Sequence, residues 1–345
     1  MSKRATIKDI ALEAGLSTAS ISQALRPRLG SNIKLPEETV KRIKEIAERL
    51  NYRPHAGARS IRARSFHNFG FFLAKEGEYT HSPDGYIAGV HDAADAKNYR
   101  ITLIRLPHQA ETIRHRLPSI FDEQNLDALI IGSYHEITNT IHEKLRKDNL
   151  PIVYLNDKHA NNSVYVDDVA GSRIATQHLI DKGRQSICYI LRKSPDNLPL
   201  ESLHHSAPDR LQGFKAAMEA ASLEPHTSTI FRETVVGPGS ELDDEWWESV
   251  KHHDALIAYD DDLANALARF LYNKRIRVPD DIALVGYNGD YGSLSAWQEL
   301  TTMRIPSYQM GRAAVEIACE LVKNDNATPI PSQKFIPQLI PGKTS

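Results

Sequence analysis

The sequence predicts a small all-α helix-turn-helix headpiece followed by an α/β body of two doubly wound parallel-sheet lobes. Three observations lead to this prediction. Two short helical patterns meet at a glycine near the start of the chain, positive charge is concentrated there, and strand-like and helical runs alternate after residue 66. Residues 1–64 hold 14 Lys and Arg against 6 Asp and Glu, whereas the whole chain of 345 residues has a net charge of -2. This length exceeds one typical core and indicates two or three domains.

The first element is a pair of short helices within residues 6–25. Thr6 is expected to cap the first helix, with Asp9 in the acidic position of a capping box. Gly15 is suited to the left-handed residue that ends it, and Ser17 is placed to cap the second helix. The residues left facing outward on that second helix are Thr18, Ala19, Ser22 and Gln23. An ordinary pair of packed helices remains the alternative to a DNA-reading motif.

A third amphipathic helix is predicted over residues 36–50, with Val40, Ile43, Ile46, Ala47 and Leu50 forming its apolar stripe. Residues 51–54 then break the helix. Residues 55–64, HAGARSIRAR, are too few and too polar to hold a helix alone. Their arginines can reach phosphates, and Ile61 is the one large apolar residue among them.

Residues 6–61, TIKDIALEAGLSTASISQAL followed by LPEETVKRIKEIAERLNYRPHAGARSIRA, resemble the DNA-binding headpiece of the lac-repressor/gal-repressor family of bacterial transcription regulators. The resemblance implies that residues 55–64 form a hinge helix that orders on DNA and pairs with that of a second subunit, with Ile61 at the position of the family's wedging leucine. A flexible linker is the alternative. Gln23 replaces the family's usual arginine, and the loop from residue 26 to residue 34 is longer than usual, so the operator sequence cannot be carried over. The DNA-binding residues implied are Thr6, Ser17, Thr18, Ala19, Ser20, Ser22, Gln23, Tyr52, His55, Ala58, Arg59, Ile61 and Arg62.

After residue 66, short β-branched or aromatic runs such as FGFFLA, ALIIGS, SICYIL and IALVGY alternate with helical stretches. This alternation is typical of parallel sheets covered by helices, and a ligand is expected in the crevice outside the carboxyl ends of the strands. No glycine-rich dinucleotide fingerprint follows the first strand, and no phosphate-binding loop occurs. No cofactor is therefore expected.

The body resembles the periplasmic-binding-protein-like core of the same family in YIAGVHDAAD, VYVDDVAGSRIATQHLIDKG, DRLQGF, ALIAYDDDLANAL, VPDDIALVGYNGD and ELTTMRIPSYQMGRAAVEIACELV. We therefore expect a headpiece at residues 1–54, a hinge at 55–64 and an effector-binding and dimerisation body at 65–345. The first lobe is expected at about 65–165 and 301–325, and the second at about 166–300 and 326–345. The effector-binding residues implied are Ser82, Tyr86, Asn156, Arg210, Asp260, Asn288 and Trp297.

Each of these effector residues has a structural alternative. Arg210 could bridge the lobes instead of contacting the effector, although its fork of donors suits a carboxylate or paired hydroxyls. Asp260 could be a helix N-cap, and Trp297 could belong to the core. Asn288 stands where many sugar-responsive members carry an aspartate.

The remaining reactive residue types give no catalytic or metal site. Cys188 and Cys319 lie in apolar runs and are expected to be buried thiols. The pairs His204-His205 and His252-His253 lack a third ligand at metal spacing and are expected in loops or at the surface. Without a signal peptide or an apolar run of membrane length, a cytoplasmic protein with no membrane segment is expected.

Two other functions would fit parts of this sequence but not all of it. A secreted sugar-binding protein would share the two-lobed body but would have no use for a basic headpiece. An enzyme would need a nucleophile with a base or a phosphate loop, and neither motif occurs. The sequence therefore predicts a non-enzymatic, homodimeric regulator, expected to be a repressor, that binds a palindromic operator in double-stranded DNA and responds to a small molecule such as a sugar.

Overall fold

The computed structural model describes residues 5–25, 35–53, 65–75, 84–107, 125–132, 149–193, 199–231, 242, 244–289 and 299–345. The chain divides into two compact units, residues 1–66 and residues 67–345. We call the first unit the headpiece and the second the body, and each is described by itself.

The headpiece contains three helices: α1 (Ile7–Ala14), α2 (Thr18–Leu25) and α3 (Glu37–Arg49). The predicted capping box at the start of α1 is confirmed, since the Asp9 N–H donates to the Thr6 side chain and the Thr6 N–H donates to the Asp9 carboxylate. Gly15 ends α1 with a φ of 67°, as predicted. The Ser17 hydroxyl oxygen accepts the Ser20 backbone N–H at 3.1 Å, which confirms the cap of α2.

One apolar core holds these three helices together. Its buried members include Ile10, Ile21 and Ile43, one from each helix. Arg42 on α3 also donates to the Ala14 carbonyl at 3.1 Å, which satisfies an acceptor that the end of α1 leaves open. The predicted helix-turn-helix with a closing third helix is therefore confirmed.

The first lobe of the body is built on a wholly parallel sheet. Along the chain its strands and first helix are β1 (Asn68–Lys75), α4 (Asp84–Ala96), β2 (Arg100–Pro107), β3 (Ala128–Gly132), β4 (Ile152–Leu155) and β5 (Ser163–Val166). A later strand, β11 (Gln333–Phe335), joins beside β5, so the spatial order is β11-β5-β4-β3-β1-β2.

The second lobe has a six-stranded sheet of the order β12-β10-β9-β8-β6-β7, parallel except for β12 at one edge. Its elements are α5 (Asp168–Asp181), β6 (Ile187–Lys193), α6 (Ser206–Ala220), β7 (His226–Phe231), α7 (Asp244–Val250), β8 (Ala255–Ala258), α8 (Asp261–Asn273), β9 (Ala283–Asn288), β10 (Thr301–Arg304) and β12 (Gln338–Ile340). A short 3-10 turn, Leu200–Ser202, precedes α6. The predicted class of two doubly wound lobes is confirmed.

Helix α9 (Ser307–Lys323) returns the chain to the first lobe, where it packs against α4 and against β3, β4 and β5. The two helices approach closely because glycines face the contact: a Cβ at Gly89 would lie 2.1 Å from the Tyr308 carbonyl oxygen. The chain passes between the lobes three times, after β5, after β10 and after β11.

Two of the predicted lobe boundaries were wrong. Residues 301–304 were assigned to the first lobe, but β10 pairs with β9 in the second sheet. Residues 326–345 were assigned to the second lobe, but β11 pairs with β5 in the first. Sheet membership depends on pairing with strands about 15 to 170 residues away, which local sequence patterns do not reveal. None of the helices in the described ranges is long and apolar enough to cross a membrane.

Candidate functional site

The exposed face of α2 carries the side chains that were predicted to read DNA. Thr18 and Ala19 are exposed, whereas Ser22 and Gln23 are half-buried. Ile21 and Ala24 turn inward and fix the orientation of the helix. Tyr52 is half-buried against the headpiece core. The other predicted DNA contacts, His55, Ala58, Arg59, Ile61 and Arg62, lie outside the described residues.

In the body, three of the predicted effector residues, Arg210, Asp260 and Asn288, lie where strands of the second sheet end. Arg210 on α6 is buried, and each part of its guanidinium donates to a different element. Nε donates to Asp168 Oδ1 at 2.7 Å, Nη1 to the Tyr259 carbonyl at 2.6 Å and Nη2 to Asn288 Oδ1 at 3.2 Å. The sequence prediction that Arg210 and Asn288 belong to one site agrees with this geometry.

Aromatic rings complete the surroundings of Arg210. Its guanidinium carbon lies 3.6 Å from the centre of the Tyr287 ring and 4.8 Å from that of Tyr259, which are cation–π distances. Burial by itself would lower the pKa of Arg210, but Asp168 and the two tyrosines raise it well above the ordinary value. Arg210 therefore stays charged, and Asp168 neutralises it.

A second arginine lies at the same edge of the sheet. Arg192, at the end of β6, donates from Nε to Asp260 Oδ2 at 2.5 Å and from Nη2 to Asp260 Oδ1 at 2.7 Å. Asp260 Oδ1 also accepts the Leu263 N–H at 2.8 Å and caps α8. The capping alternative for Asp260 is thus correct, and both of its oxygens are already bonded. Its contact with an effector stays a prediction.

Asn156 directly follows β4 and Asn288 is the last residue of β9, and their φ values are positive, 61° and 107°. Asparagine tolerates this backbone region better than most residues, so each has a structural reason to be where it is. Asn156 Oδ1 is buried and finds no hydrogen-bond partner in the described part of the chain. The contact of Asn156 with an effector stays a prediction.

Tyr86, predicted in the cleft wall, is instead buried in the core of the first lobe. Its hydroxyl lies 3.8 Å from the sulfur of Met310 on α9. Its contact with an effector stays a prediction. Ser82 and Trp297 lie outside the described residues.

The structure adds four residues to the site that sequence reasoning missed: Asp168, Arg192, His204 and Tyr259. Asp168 and Arg192 had a sequence signal, because each is a charged residue directly after, or at the end of, an apolar strand run. The histidine pairs were expected in loops or at the surface, and all four residues lie in loops between elements. His204 and His205 are half-buried, and His253 is buried, while His252 is exposed.

Other chemistry finds little support in the described ranges. They contain no group of three or more His, Cys, Asp or Glu side chains that could hold a metal ion. Cys188 is buried and Cys319 half-buried, both as free thiols. Burial raises the pKa of Cys188 to about 12, so its thiol stays protonated and unreactive at neutral pH.

A helix-turn-helix headpiece together with a two-lobed α/β body defines a DNA-binding regulator with a ligand-binding type of body. Comparison with family models agrees. Residues 6–55 match the model of bacterial regulatory proteins of the lacI family, and residues 176–345 match the periplasmic binding protein-like domain. The chain therefore combines a lacI-family helix-turn-helix domain with a periplasmic binding protein-like domain, and it is a DNA-binding transcriptional regulator, repressor-like.

Curated relatives extend over nearly the whole chain. The HTH-type transcriptional regulator RegA of Clostridium saccharobutylicum is 26% identical and is covered over 92% of each chain. The HTH-type transcriptional repressor PurR of Aliivibrio fischeri strain MJ11 is 28% identical, over 93% of this chain and 92% of the relative. These relatives are transcriptional regulators.

Solved structures share the fold. The lac repressor bound to ONPG in the repressed state superimposes with a TM-score of 0.80 at 21% identity, covering 99% of this chain and 100% of that chain. The complex of the transcriptional regulator CelR with cellobiose gives a TM-score of 0.68 at 21% identity, with the same coverage.

Proposed function

We propose that the protein is a homodimer that binds a palindromic DNA operator through its headpieces, and that a neutral sugar or sugar derivative bound between the two lobes controls operator affinity. The observation that carries the effector half is the set of polar side chains at the carboxyl ends of the strands, which centres on Arg210.

Unused hydrogen-bonding atoms favour a ligand that both donates and accepts. Arg192 Nη1 is a buried donor and Asn156 Oδ1 a buried acceptor, and neither has a partner among the described residues. Leaving such groups unpaired costs about 1–3 kcal/mol each. A hydroxyl can accept from the arginine or donate to the asparagine, so a ligand with several hydroxyls suits both.

Charge balance favours a neutral ligand over an anionic one. Asp168 neutralises Arg210, and Asp260 neutralises Arg192. The adjacent carboxylate of Asp261 is buried and accepts from the Gly289 N–H and the Thr302 hydroxyl. A sugar acid or sugar phosphate would bring further negative charge to an edge whose arginines are already paired, and burying unpaired charge is costly.

Two structural neighbours of this chain were solved with a sugar bound. They are the complex of CelR with cellobiose and a lacI-family regulator from Enterococcus faecium with bound ribose. These likenesses lie at 21% and 18% identity, so for this chain the sugar is an inference from the chemistry of its own cleft residues.

In operator binding, we assign the base contacts to Thr18, Ala19 and Gln23. The first two are exposed at the start of α2, which is the end that meets base edges in this motif. Gln23 can bond an adenine through its paired amide groups, a discrimination of about 1–3 kcal/mol. The hinge with Ile61, Arg59 and Arg62 is proposed from the sequence resemblance.

The effector half is tested by a thermal-shift screen of neutral sugars, the matching sugar acids and nucleobases against the full chain, followed by calorimetry. A ligand that binds only the folded state raises the midpoint temperature of thermal unfolding. Neutral sugars should stabilise wild type, and Arg192→Gln should reduce that shift. A sugar acid or nucleobase that binds more tightly than every neutral sugar would contradict the proposed class.

The DNA half is tested by selecting binding sites from random duplexes. Wild type should enrich one palindromic site, and Gln23→Ala should change the preferred base at one position in each half-site while the helix fold stays intact. Enrichment of the same site by both proteins would remove Gln23 from base reading. Failure to enrich any site would contradict sequence-specific binding itself.

A further inference from the structure

A chain of hydrogen bonds joins the first lobe to the second at the start of α6. His204 Nε2 lies 2.7 Å from the carbonyl oxygen of Asn156, at the end of β4 in the first sheet. His204 Nδ1 lies 2.9 Å from Ser206 Oγ and 3.3 Å from the Ser206 backbone nitrogen, both in the second lobe. His204 thus contacts both lobes through its two ring nitrogens.

These partners define which ring nitrogen carries the proton. A carbonyl oxygen can only accept, so Nε2 carries the hydrogen and donates to Asn156. The Ser206 backbone N–H can only donate, so Nδ1 is unprotonated and accepts. His204 is therefore a neutral imidazole with its hydrogen on Nε2.

The chain continues to Arg210. Ser206 Oγ lies 2.7 Å from the Tyr259 hydroxyl, so it accepts from Tyr259 while donating to His204. The Tyr259 carbonyl accepts from Arg210 Nη1. Each donated hydrogen in this series of hydrogen bonds has one acceptor. The series links the end of β4 through His204, Ser206 and Tyr259 to the buried arginine of the second lobe.

A second contact crosses at the same place but is more exposed. Lys158, in the first lobe, donates to Asp209 Oδ2 on α6 at 2.7 Å, and 45% of the lysine side chain is exposed. Exposed ion pairs contribute little because water screens them. His204 is the more buried link of the two.

We propose that His204 is a positioning residue that fastens α6, and with it Arg210, to the first lobe, and that protonation of its ring releases the two lobes. This inference goes beyond effector recognition, and its test needs no effector. A second proton would occupy Nδ1, so neither the Ser206 N–H nor the Ser206 hydroxyl could still donate to the ring, and the N–H would face a second N–H.

Taken together, burial and the groups around His204 oppose protonation in the fastened state. Burial lowers the pKa of His204 most, and Arg210 lowers it further, while the Asn156 carbonyl, Asp168 and Asp157 raise it; the net shift is downward. The neighbouring His205 ring lies 4.2 Å away between centroids, and burial and His204 lower the pKa of His205 to about 2. In the released state the pKa of His204 returns to the ordinary value for histidine. The link is therefore complete above about pH 6.5 and weakens as the pH falls below it.

The test is amide hydrogen exchange on the full chain without added ligand, measured by mass spectrometry as protection relative to intrinsic exchange. The matched variants are His204→Phe and His205→Phe. Both keep an aromatic ring, but only the first removes hydrogen bonds, because neither His205 nitrogen has a hydrogen-bond partner among the described residues. His204→Gln keeps an N–H donor and a carbonyl acceptor that do not titrate, and circular dichroism checks folding.

In His204→Phe, protection over residues 156–164 and 204–210 should fall about tenfold, and in His205→Phe it should stay within about twofold of wild type. Wild type should lose the same protection between about pH 7.5 and pH 5, whereas His204→Gln should keep it at both. Equal protection in the two phenylalanine variants, or an unchanged pH effect in His204→Gln, overturns the proposal. If His204→Phe does not fold, the pH comparison of His204→Gln with wild type decides. Either failure would leave the sugar and operator tests of the proposed function untouched.

Discussion

The second lobe holds two arginine–aspartate pairs at the same edge of its sheet, and they differ in burial. The side chains of Arg210 and Asp168 are 5% and 1% exposed, whereas those of Arg192 and Asp260 are 16% and 13% exposed. Arg210 also lies over the Tyr287 ring and bonds two further elements. Arg192 bonds Asp260 alone in the described ranges and keeps Nη1 unused.

The difference in burial indicates that the Arg210 and Arg192 ion pairs have different roles. The Arg210 pair connects α5, α6 and the ends of β8 and β9, so its geometry depends on the whole lobe being folded. The Arg192 pair caps one helix, and Nη1 of its arginine has no hydrogen-bond partner among the described residues. The residue that resembled the family's effector arginine is thus the more structural of the two, and the arginine that sequence reasoning missed is the freer one.

The largest expected effect comes from breaking the buried pair. Asp168→Asn or Arg210→Met alone should lower the free energy of unfolding by about 3–5 kcal/mol, because each leaves a charge buried without its partner. The double variant Asp168→Asn/Arg210→Met should cost less than the sum of the two. Urea unfolding followed by tryptophan fluorescence measures this, since Trp246, Trp247 and Trp297 all lie in the body.

Additive losses in this double-mutant cycle would show that Asp168 and Arg210 do not interact energetically, and the comparison of the two pairs would then fail. The matched cycle on Arg192→Met and Asp260→Asn is the control. Its coupling energy should be smaller, because both side chains are partly exposed and solvent screens their interaction.

A smaller effect separates the two roles of Asp260. Asp260→Asn keeps a side-chain oxygen that can cap α8, so it should lose only the ion pair. Asp260→Ala loses the cap as well, which costs about 1 kcal/mol more. Urea midpoints of the two variants give the difference directly. Equal midpoints would mean that the bond from the Leu263 N–H adds nothing to stability.

The smallest expected effect concerns a titrating group away from both pairs. Burial, followed by His252 and His226, lowers the pKa of His253 to about 4, from 6.5 for an ordinary histidine. Below about pH 6.5 the unfolded chain therefore binds a proton at His253 that the folded body does not bind. The free energy of unfolding falls as the pH drops from 6.5 towards 4. Thermal midpoints across this range should fall less steeply in His253→Gln than in wild type. His252→Gln removes only the repulsion from one neighbour and leaves the burial of His253, so its slope should lie between those of wild type and His253→Gln; equal slopes in both variants would contradict the assignment.

Local features of the fold were predictable residue by residue. Thr6, Gly15 and Ser17 act within three or four residues of themselves, and each cap forms as the sequence indicated. The strand runs that alternate with helices were also recognisable, because burial on both faces requires nearly continuous apolar residues. The body's predicted class followed from these signals alone.

The candidate site was only partly predictable. Arg210 and Asn288 were named from the sequence, but their bond joins residues 78 positions apart. Asp168, 42 positions before Arg210, and Arg192, 68 before Asp260, were not named, because a charged residue at the end of a strand does not reveal its partner. The histidine pairs lie in loops, as expected, but the burial of His253 was not predicted, since adjacent polar residues give no local signal of burial.

The sequence by itself determined the helix-turn-helix, the basic charge of the headpiece, the succession of strands and helices in the body and the family that they resemble. These depend on short-range periodicity, caps and composition. Only the tertiary structure decided which sheet β10 and β11 join, which aspartate neutralises which arginine, and that His204 spans the two lobes. Such contacts form between segments that meet only after the chain has folded, so their specificity lies in the geometry of the packed lobes and in no local stretch of sequence.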